Sequence, residues 1–238
     1  MSDKYFKLPR LFTTQSLSDK GVIPLEPAQA HYLGNVLRRK DGAQVRLFNG
    51  RDGEWLATLS NIQRKSGEAT LEKQLHQQPT QNRRLHILFS PIKKNRMDWL
   101  IEKAVELGAT DFHPIITQNT EVRKINEDRL KAQILEATEQ CERFELPTLH
   151  EIEKLDSILK QWNFDTPILS CIERTQAPHI KDIELSETND IAFLIGPEGG
   201  FTEAEKIELE EQTTPVSLGK TILRCETALV KALILLAP

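Results

Sequence analysis

Asp190–Thr202 reads DIAFLIGPEGGFT. Ile191 to Ile195 is an uninterrupted apolar run of strand length, the pattern of a parallel strand covered on both faces. Gly196, Gly199 and Gly200 follow at once. They permit positive φ and let a ligand approach bare backbone. Thr202 and Glu205 form a T-x-x-E capping box that opens a helix at Glu203. Peptide N–H groups and the positive end of a helix dipole therefore face whatever sits on this turn. In an open α/β sheet, that is where ligands bind.

A second stretch repeats the logic. Val216–Ala228 reads VSLGKTILRCETA. Thr214 to Leu218 predicts a strand, Gly219 breaks it, and a loop from Lys220 to Glu226 leads into a helix over Thr227–Ala237. That helix is apolar almost all round, with Lys231 its one charge, so it wants a buried surface in the core or against a second subunit. It is too short to span a membrane. Two familiar phosphate motifs are excluded. A P-loop ending in Gly219-Lys220-Thr221 needs glycine where Thr214 stands, and G-x-G-x-x-G fails at Glu198. Neither an NTPase nor a dinucleotide dehydrogenase is indicated.

The rest of the chain divides in two. Residues 1–75 predict short strands at Val45–Phe48, Glu54–Leu59 and Glu68–Glu72, parted by glycine turns. A helical pattern over Leu25–Leu37 precedes them. Close strand spacing suggests a small β-barrel. The polar, proline-interrupted Gln74–Asn82 is the expected boundary. From residue 80 to 238, strands (Leu85–Phe89, Phe112–Ile116, Pro167–Cys171) alternate with helices (Met97–Leu107, Asp128–Arg143, Leu155–Trp162). This predicts an α/β domain with a mainly parallel sheet.

Composition sets outer bounds. Of 238 residues, 39% are apolar and 28% charged, an ordinary globular balance. No run reaches membrane-spanning length, and the N-terminus has no hydrophobic signal core, so a cytoplasmic protein is expected. Cys141, Cys171 and Cys225 are widely spaced and odd in number, which favours reduced thiols over a disulfide or zinc scaffold. No His, Cys and carboxylate group has metal-ligand spacing, so no metal is expected. His31, His113 and His150 are isolated and read as structural. Residues 1–96 hold 17 Lys and Arg against 8 Asp and Glu, while residues 97–238 hold 14 against 27. A basic front and an acidic back suggest a polyanion at the front. Candidate phosphate contacts are Arg10, Arg38, Arg39, Lys40, Lys93, Lys94, Arg96 and Arg143.

LIGPEGGFTEAE and LGKTILRCETA resemble the last two signature motifs of the SPOUT methyltransferase superfamily. Within it the chain is similar to the family that methylates N3 of a uridine in 16S ribosomal RNA. The likeness includes Pro9–Phe12, His31–Arg38, Glu102–Gly108 and Ala137–Cys141. It implies a PUA-like β-barrel, then a parallel sheet whose C-terminal part is tucked into a trefoil knot, a feature rare enough that only the resemblance suggests it. It implies S-adenosylmethionine as methyl donor, 16S ribosomal RNA or the small subunit as partner, and a homodimer with no membrane and no metal. The cofactor loops are Ile195, Gly196, Pro197, Glu198, Gly199 and Gly200, with Leu218, Gly219, Ile222 and Leu223. Arg224 is the expected catalytic guanidinium. Glu226 is the candidate base, or the group that orients Arg224. Other readings are an enzyme of the superfamily with another target, such as a ribose 2′-hydroxyl, and an RNA-binding protein with a vestigial pocket. The chain departs from the family pattern at Lys220-Thr221 (usually Pro-Arg), at Cys225 (usually Thr) and at Glu142 (commonly Gly).

Overall fold

The structure, a computed structural model, describes residues 4–81, 83–163, 165–184 and 190–236. Asn82 and Ala237, assigned above to the boundary and to the last helix, lie outside the described residues. The chain forms two units. The first holds residues up to Thr80 together with Thr138–Leu146, and the second holds Gln81–Ala137 and Pro147 onward. The expected boundary at 75–80 gives Thr138–Leu146 to the second domain, so this return is a difference from the sequence reading.

The first unit is a five-stranded sheet in the order β1-β3-β4-β5-β2, with β1 Arg10–Phe12, β2 Val22–Pro24, β3 Gln44–Phe48, β4 Glu54–Ser60 and β5 Glu68–His76. Only the β1–β3 pair is parallel. Leu11 of β1 and Ile23 of β2, from opposite edges, share one core with Val45, Leu47, Ala57, Leu59, Ala69 and Leu71. The sheet therefore curls over its own apolar face, as a PUA-like domain does. The helix expected over Leu25–Leu37 is shorter and irregular: α1 is Pro27–His31, and Tyr32–Val36 widens into a π turn. Arg38 then takes φ +53°, which ends it.

Arg10 needs correction as an RNA contact. It is 6% exposed, donates from Nε to Glu54 Oε1 at 2.6 Å, and lays its guanidinium 3.5 Å over the Phe48 ring. Glu54 is 2% exposed and has Arg46 at 3.6 Å on its other oxygen. Arg46 in turn donates to Glu142 at 2.6 Å. The helix expected through Arg143 stops at Gln140 because Glu142 turns left-handed, φ +59°. That conformation explains why glycine suits this position; here the ion pair with Arg46 helps offset its strain.

The second unit is an all-parallel sheet in the order β12-β10-β11-β6-β7-β8, with β9 also on β7. The strands are β6 Leu85–Phe89, β7 Asp111–Ile116, β8 Thr148–Leu149, β9 Glu153–Lys154, β10 Ile168–Cys171, β11 Ile191–Ile195 and β12 Thr214–Val216. All five residues of β11 are buried, as a strand inside a parallel sheet requires. The helices are α2 Lys94–Glu106, α3 Glu127–Gln140 (whose end falls in the first unit), α4 Leu155–Gln161, α5 Glu203–Gln212 and α6 Cys225–Leu236. Helix α2 begins three residues before the expected Met97, so Lys94 and Arg96 are helical. Helix α6 packs on α2 and β11. It buries Leu229, Ala232 and Leu233 but leaves Ile234 60% exposed, so it is not enclosed all round within one chain. Each buried Leu of this kind contributes about 1.5–3 kcal/mol.

Candidate active site

Strand β11 delivers the first glycine loop to the carboxyl edge of the sheet. Gly196 has no room for a side chain: a Cβ there would meet the Phe201 ring at 2.7 Å. Gly200 has φ +69°, and its N–H donates to Pro197 O at 2.9 Å, which closes the turn. The N–H groups of Glu198 and Gly199 have no partner among the described residues. Thr202 and Glu205 form the reciprocal capping box that opens α5.

This loop is braced by residues that the sequence did not flag. Asn119 Nδ2 donates to the carbonyls of Gly199 and Gly200 at 3.2 and 3.1 Å. A Cβ on Gly199 would stand 3.0 Å from that of Asn119. Glu205 does double duty, since its second oxygen accepts the Gln118 N–H at 2.7 Å. These contacts link positions 80 or more residues apart, so no local pattern announces them.

The second loop leaves β12 through Ser217, whose N–H and carbonyl bond the 178–180 segment. Gly219 takes φ +112°. The Lys231 ammonium lies 3.6 Å from where its Cβ would be, so the single cation of α6 leans over this loop. Arg224 supplies the carbonyl that accepts from Ala228 at the start of α6, and its side chain is exposed. Among the described residues it pairs with nothing, so Glu226 is not its orienting partner, contrary to one expectation.

Glu226 has a different neighbour. Arg96, on α2, stands 3.5 Å from Glu198 through Nη1 and 3.8 Å from Glu226 through Nε. One guanidinium thus lies against carboxylates from both loops, and the loops are neighbours in space. Glu226 is 8% exposed, and its Oε2 is buried without a hydrogen-bond partner. Cys225 beside it is buried. Burial pushes its thiol up to about 12, and the charges of Glu198 and Glu226 push the same way. At neutral pH it is a thiol, not a nucleophile.

The other sequence candidates are scattered. Ile195 and Pro197 are buried at the first loop, while Ile222 is exposed at the second with Leu223 and Leu218 partly covered. Lys93 precedes α2 and faces Glu121 at 3.8 Å, both exposed, and Lys94 is exposed. Arg38, Arg39 and Lys40 are exposed in the first unit. Arg143 belongs to that unit too, and burial lowers its pKa.

His113 and His150 are not isolated, which corrects the sequence reading for these two. His86, Asp111 and His113 bring their donor atoms within 4.8 Å of one another at the amino ends of β6 and β7. His150 stacks on His113, centroids 3.9 Å apart. Asp111, however, already accepts from Arg84 at 2.6–2.9 Å, from Thr110 at 2.7 Å and from His150 at 2.9 Å. Its lone pairs are taken, and a cation is at hand. Burial opposes its charge, yet these bonds hold its pKa at about 2. Burial, with His150 and His86 nearby, pushes His113 down to about 3. The arrangement is a charge-balanced network with no open carboxylate to offer a metal. Nearby, Leu159, Trp162, Thr166, Pro167, Ile168 and the 211–214 turn line a cavity of about 270 Å³ at the amino ends of β10 and β12, the edge of the sheet away from both glycine loops.

Comparison with known proteins gives a consistent result. The RNA methyltransferase domain family matches residues 79–237, and the RNA methyltransferase PUA domain matches 25–72. The chain is 33% identical over 230 residues to the ribosomal RNA small subunit methyltransferase E of Rickettsia conorii, covering 95% of this chain and 94% of that one. It is 30% identical to the protein of the same name from Synechocystis, over 98% of this chain and 78% of the other. Among solved structures, the ribosomal RNA small subunit methyltransferase E of Neisseria gonorrhoeae bound to S-adenosyl methionine superposes with a TM-score of 0.84 at 30% identity, over 95% of each chain.

Proposed function

We propose a residue-level mechanism for a chain that belongs to the ribosomal RNA small subunit methyltransferase E family. The protein is an S-adenosylmethionine-dependent methyltransferase of small-subunit ribosomal RNA. The finer reading is that the accepting atom is N3 of a uridine.

The site fits the donor. Two glycine loops at one edge of a parallel sheet offer peptide N–H groups and little side-chain bulk, and two carboxylates, Glu198 and Glu226, stand against Arg96 between them. Backbone of Ile195–Gly200 would hold one part of the donor, and Leu218, Gly219, Ile222 and Leu223 the other. Bound S-adenosylmethionine supplies an activated methyl group. The protein must then align the acceptor and exclude water, and alignment alone contributes about 7–11 kcal/mol.

Uracil N3 carries a proton and no free lone pair, so that proton has to leave. Glu226, held beside the first glycine loop by Arg96, is the carboxylate that takes it. The resulting negative charge spreads onto O2 and O4 of the base. Arg224, exposed and unpaired among the described residues, is the positive charge that stabilises it once the base is bound. Cys225 stays out of the chemistry, since N3 transfer needs no covalent adduct. The observation that carries this reading is that one guanidinium, Arg96, meets Glu198 of the first glycine loop and Glu226 at the end of the second, which brings both loops and a carboxylate together.

Arg38, Arg39 and Lys40 of the first unit, with Lys93 and Lys94, hold RNA phosphate in this scheme; such contacts position an RNA without reading it. The exposed Ile234 near the end of α6, and the exposed Ile222 in the loop that precedes this helix, support a homodimer through this part of the chain. A cytoplasmic location follows from the ribosomal substrate. The trefoil knot belongs to the same proposal. It is supported by the return of the chain from edge strand β12 to α6, which packs back on the interior strand β11.

The deciding experiment maps modified nucleotides in 16S ribosomal RNA from a strain lacking the gene, with and without its restoration. One N3-methyluridine that disappears and returns is expected. A lost ribose methyl instead would overturn the N3 assignment. Donor binding is checked separately: at 100-fold excess over Kd, S-adenosylmethionine should add about 2.7 kcal/mol of stability.

A further inference from the structure

Arg96 counts on charge alone as an RNA contact, but its surroundings say otherwise. Its guanidinium nitrogens meet Glu198 of the first glycine loop at 3.5 Å and Glu226 of α6 at 3.8 Å. A cation already held by two carboxylates has little charge left for a phosphate. Its side chain is 37% exposed, so it is partly covered by these partners. It also sits in the first turn of α2, the helix against which α6 packs. Among the described residues, Arg96 is thus the one side chain with an ion pair to a carboxylate from each loop.

We propose that Arg96 is a positioning residue, a bridge that fixes the first glycine loop to the amino end of α6. By standing 3.8 Å from Glu226 Oε1 it holds that carboxylate at the amino end of α6, in reach of the first glycine loop. By standing against Glu198 it sets the width of the gap between the two loops. The first effect rests on the reading of Glu226 as base; the second rests only on the loops binding the methyl donor. The bridge needs a planar group with several donors. A lysine carries the charge but meets one carboxylate at a time.

The test uses the full-length enzyme with small ribosomal subunits from a strain lacking the modification. Arg96→Ala, Arg96→Lys, Glu226→Gln, Glu198→Gln and the two doubles with Arg96→Ala are compared in kcat, KM for RNA and Kd for S-adenosylmethionine by calorimetry. Misplacing a catalytic group costs up to about 10²-fold in rate. Arg96→Ala should therefore lose about 10- to 10²-fold in kcat, and the double with Glu226→Gln should be no slower than Glu226→Gln alone. Arg96→Ala should also weaken donor binding, with no further loss on adding Glu198→Gln. Arg96→Lys should recover only part of each loss, and because it keeps charge and bulk it serves if the alanine variant melts early.

Additive penalties in both cycles would overturn the bridge. So would a rise in KM for RNA at unchanged kcat and donor Kd, with a salt slope shallower by about one, the signature of a lost phosphate contact. The donor-binding cycle contains no RNA. Methylation of another atom with that cycle still coupled would sink the N3 reading and support the bridge.

Discussion

Around Glu54 in the first unit and Arg96 in the second, the chain assembles arginines and glutamates into ion-pair clusters. In the first, both oxygens of Glu54 face guanidinium groups, Arg10 is stacked on Phe48, and Glu54 and Arg10 are almost fully enclosed. In the second, the distances are 3.5 and 3.8 Å, and Arg96 and Glu198 are about one-third exposed. The same residue types therefore do different things. A sealed, tight cluster ties Thr138–Leu146 to the curled sheet; a looser, partly exposed one links the two glycine loops. Charge counted along a sequence does not separate these cases, and burial does.

The largest effect that tests this contrast is on stability. Glu54→Gln keeps the shape and leaves Arg10 and Arg46 buried without their anion, which typically costs about 3–5 kcal/mol. Urea unfolding should show that loss. Replacing Arg10 and Glu54 together by Leu should recover much of it. If Glu54→Gln unfolds like the wild type, the first cluster is not a structural clasp. Arg224→Ala comes next. Removing one charge-stabilising donor costs about 10²–10³ in kcat, and donor Kd and melting temperature should hardly move. A variant of normal rate would remove Arg224 from the reaction.

A smaller effect comes from the histidine network, which belongs with the sealed kind of site. In the unfolded chain His113 takes a proton near its ordinary pKa, and in the folded one only near about 3. Between those values the unfolded state binds the extra proton, so stability falls as pH falls. The slope from this one group is up to about 1.4 kcal/mol per pH unit. Asp111 adds to it only below its ordinary carboxylate range, down to about 2. Urea midpoints at pH 7 and pH 5 should differ accordingly, and His113→Gln should flatten the difference. An unchanged slope in that variant would show that His113 is not the group responsible.

What the sequence disclosed follows from how local each feature is. Strand Ile191–Ile195 and the capping box at Thr202 are built from neighbours, and the structure has both at the positions read. Helix α6 starts two residues before the expected Thr227, since no residue pattern distinguishes Cys225 as loop from Cys225 as first turn. The π turn at Tyr32–Val36 escaped because its apolar spacing fits an ordinary helix. The end of α3 escaped because a left-handed Glu142 has no local signal when glycine is absent. The bracing of the glycine loop by Asn119 and the placing of Arg96 between two glutamates depend on strand order, which periodicity does not report. For the same reason His113 of β7 and His150 after β8 look isolated in the sequence, whereas the parallel sheet sets them beside each other and beside His86 of β6.

The smallest effect is expected at Cys225, and it probes the loose cluster from inside. The residue lies in the first turn of α6, next to Glu226 and close enough to Glu198 for both charges to raise its pKa. A thiol held near 12 contributes no thiolate at neutral pH, and N3 transfer asks for none. Its remaining role is packing, in which a small, weakly polar side chain is filled about as well by serine. Cys225→Ser should therefore keep kcat within a few-fold and cost at most about 1 kcal/mol of stability, the penalty of a buried hydroxyl that finds a partner. Single-turnover assays and thermal melts check the two halves. Loss of turnover with donor binding intact would mean that the thiol attacks the base, and the acceptor would then be a carbon rather than N3.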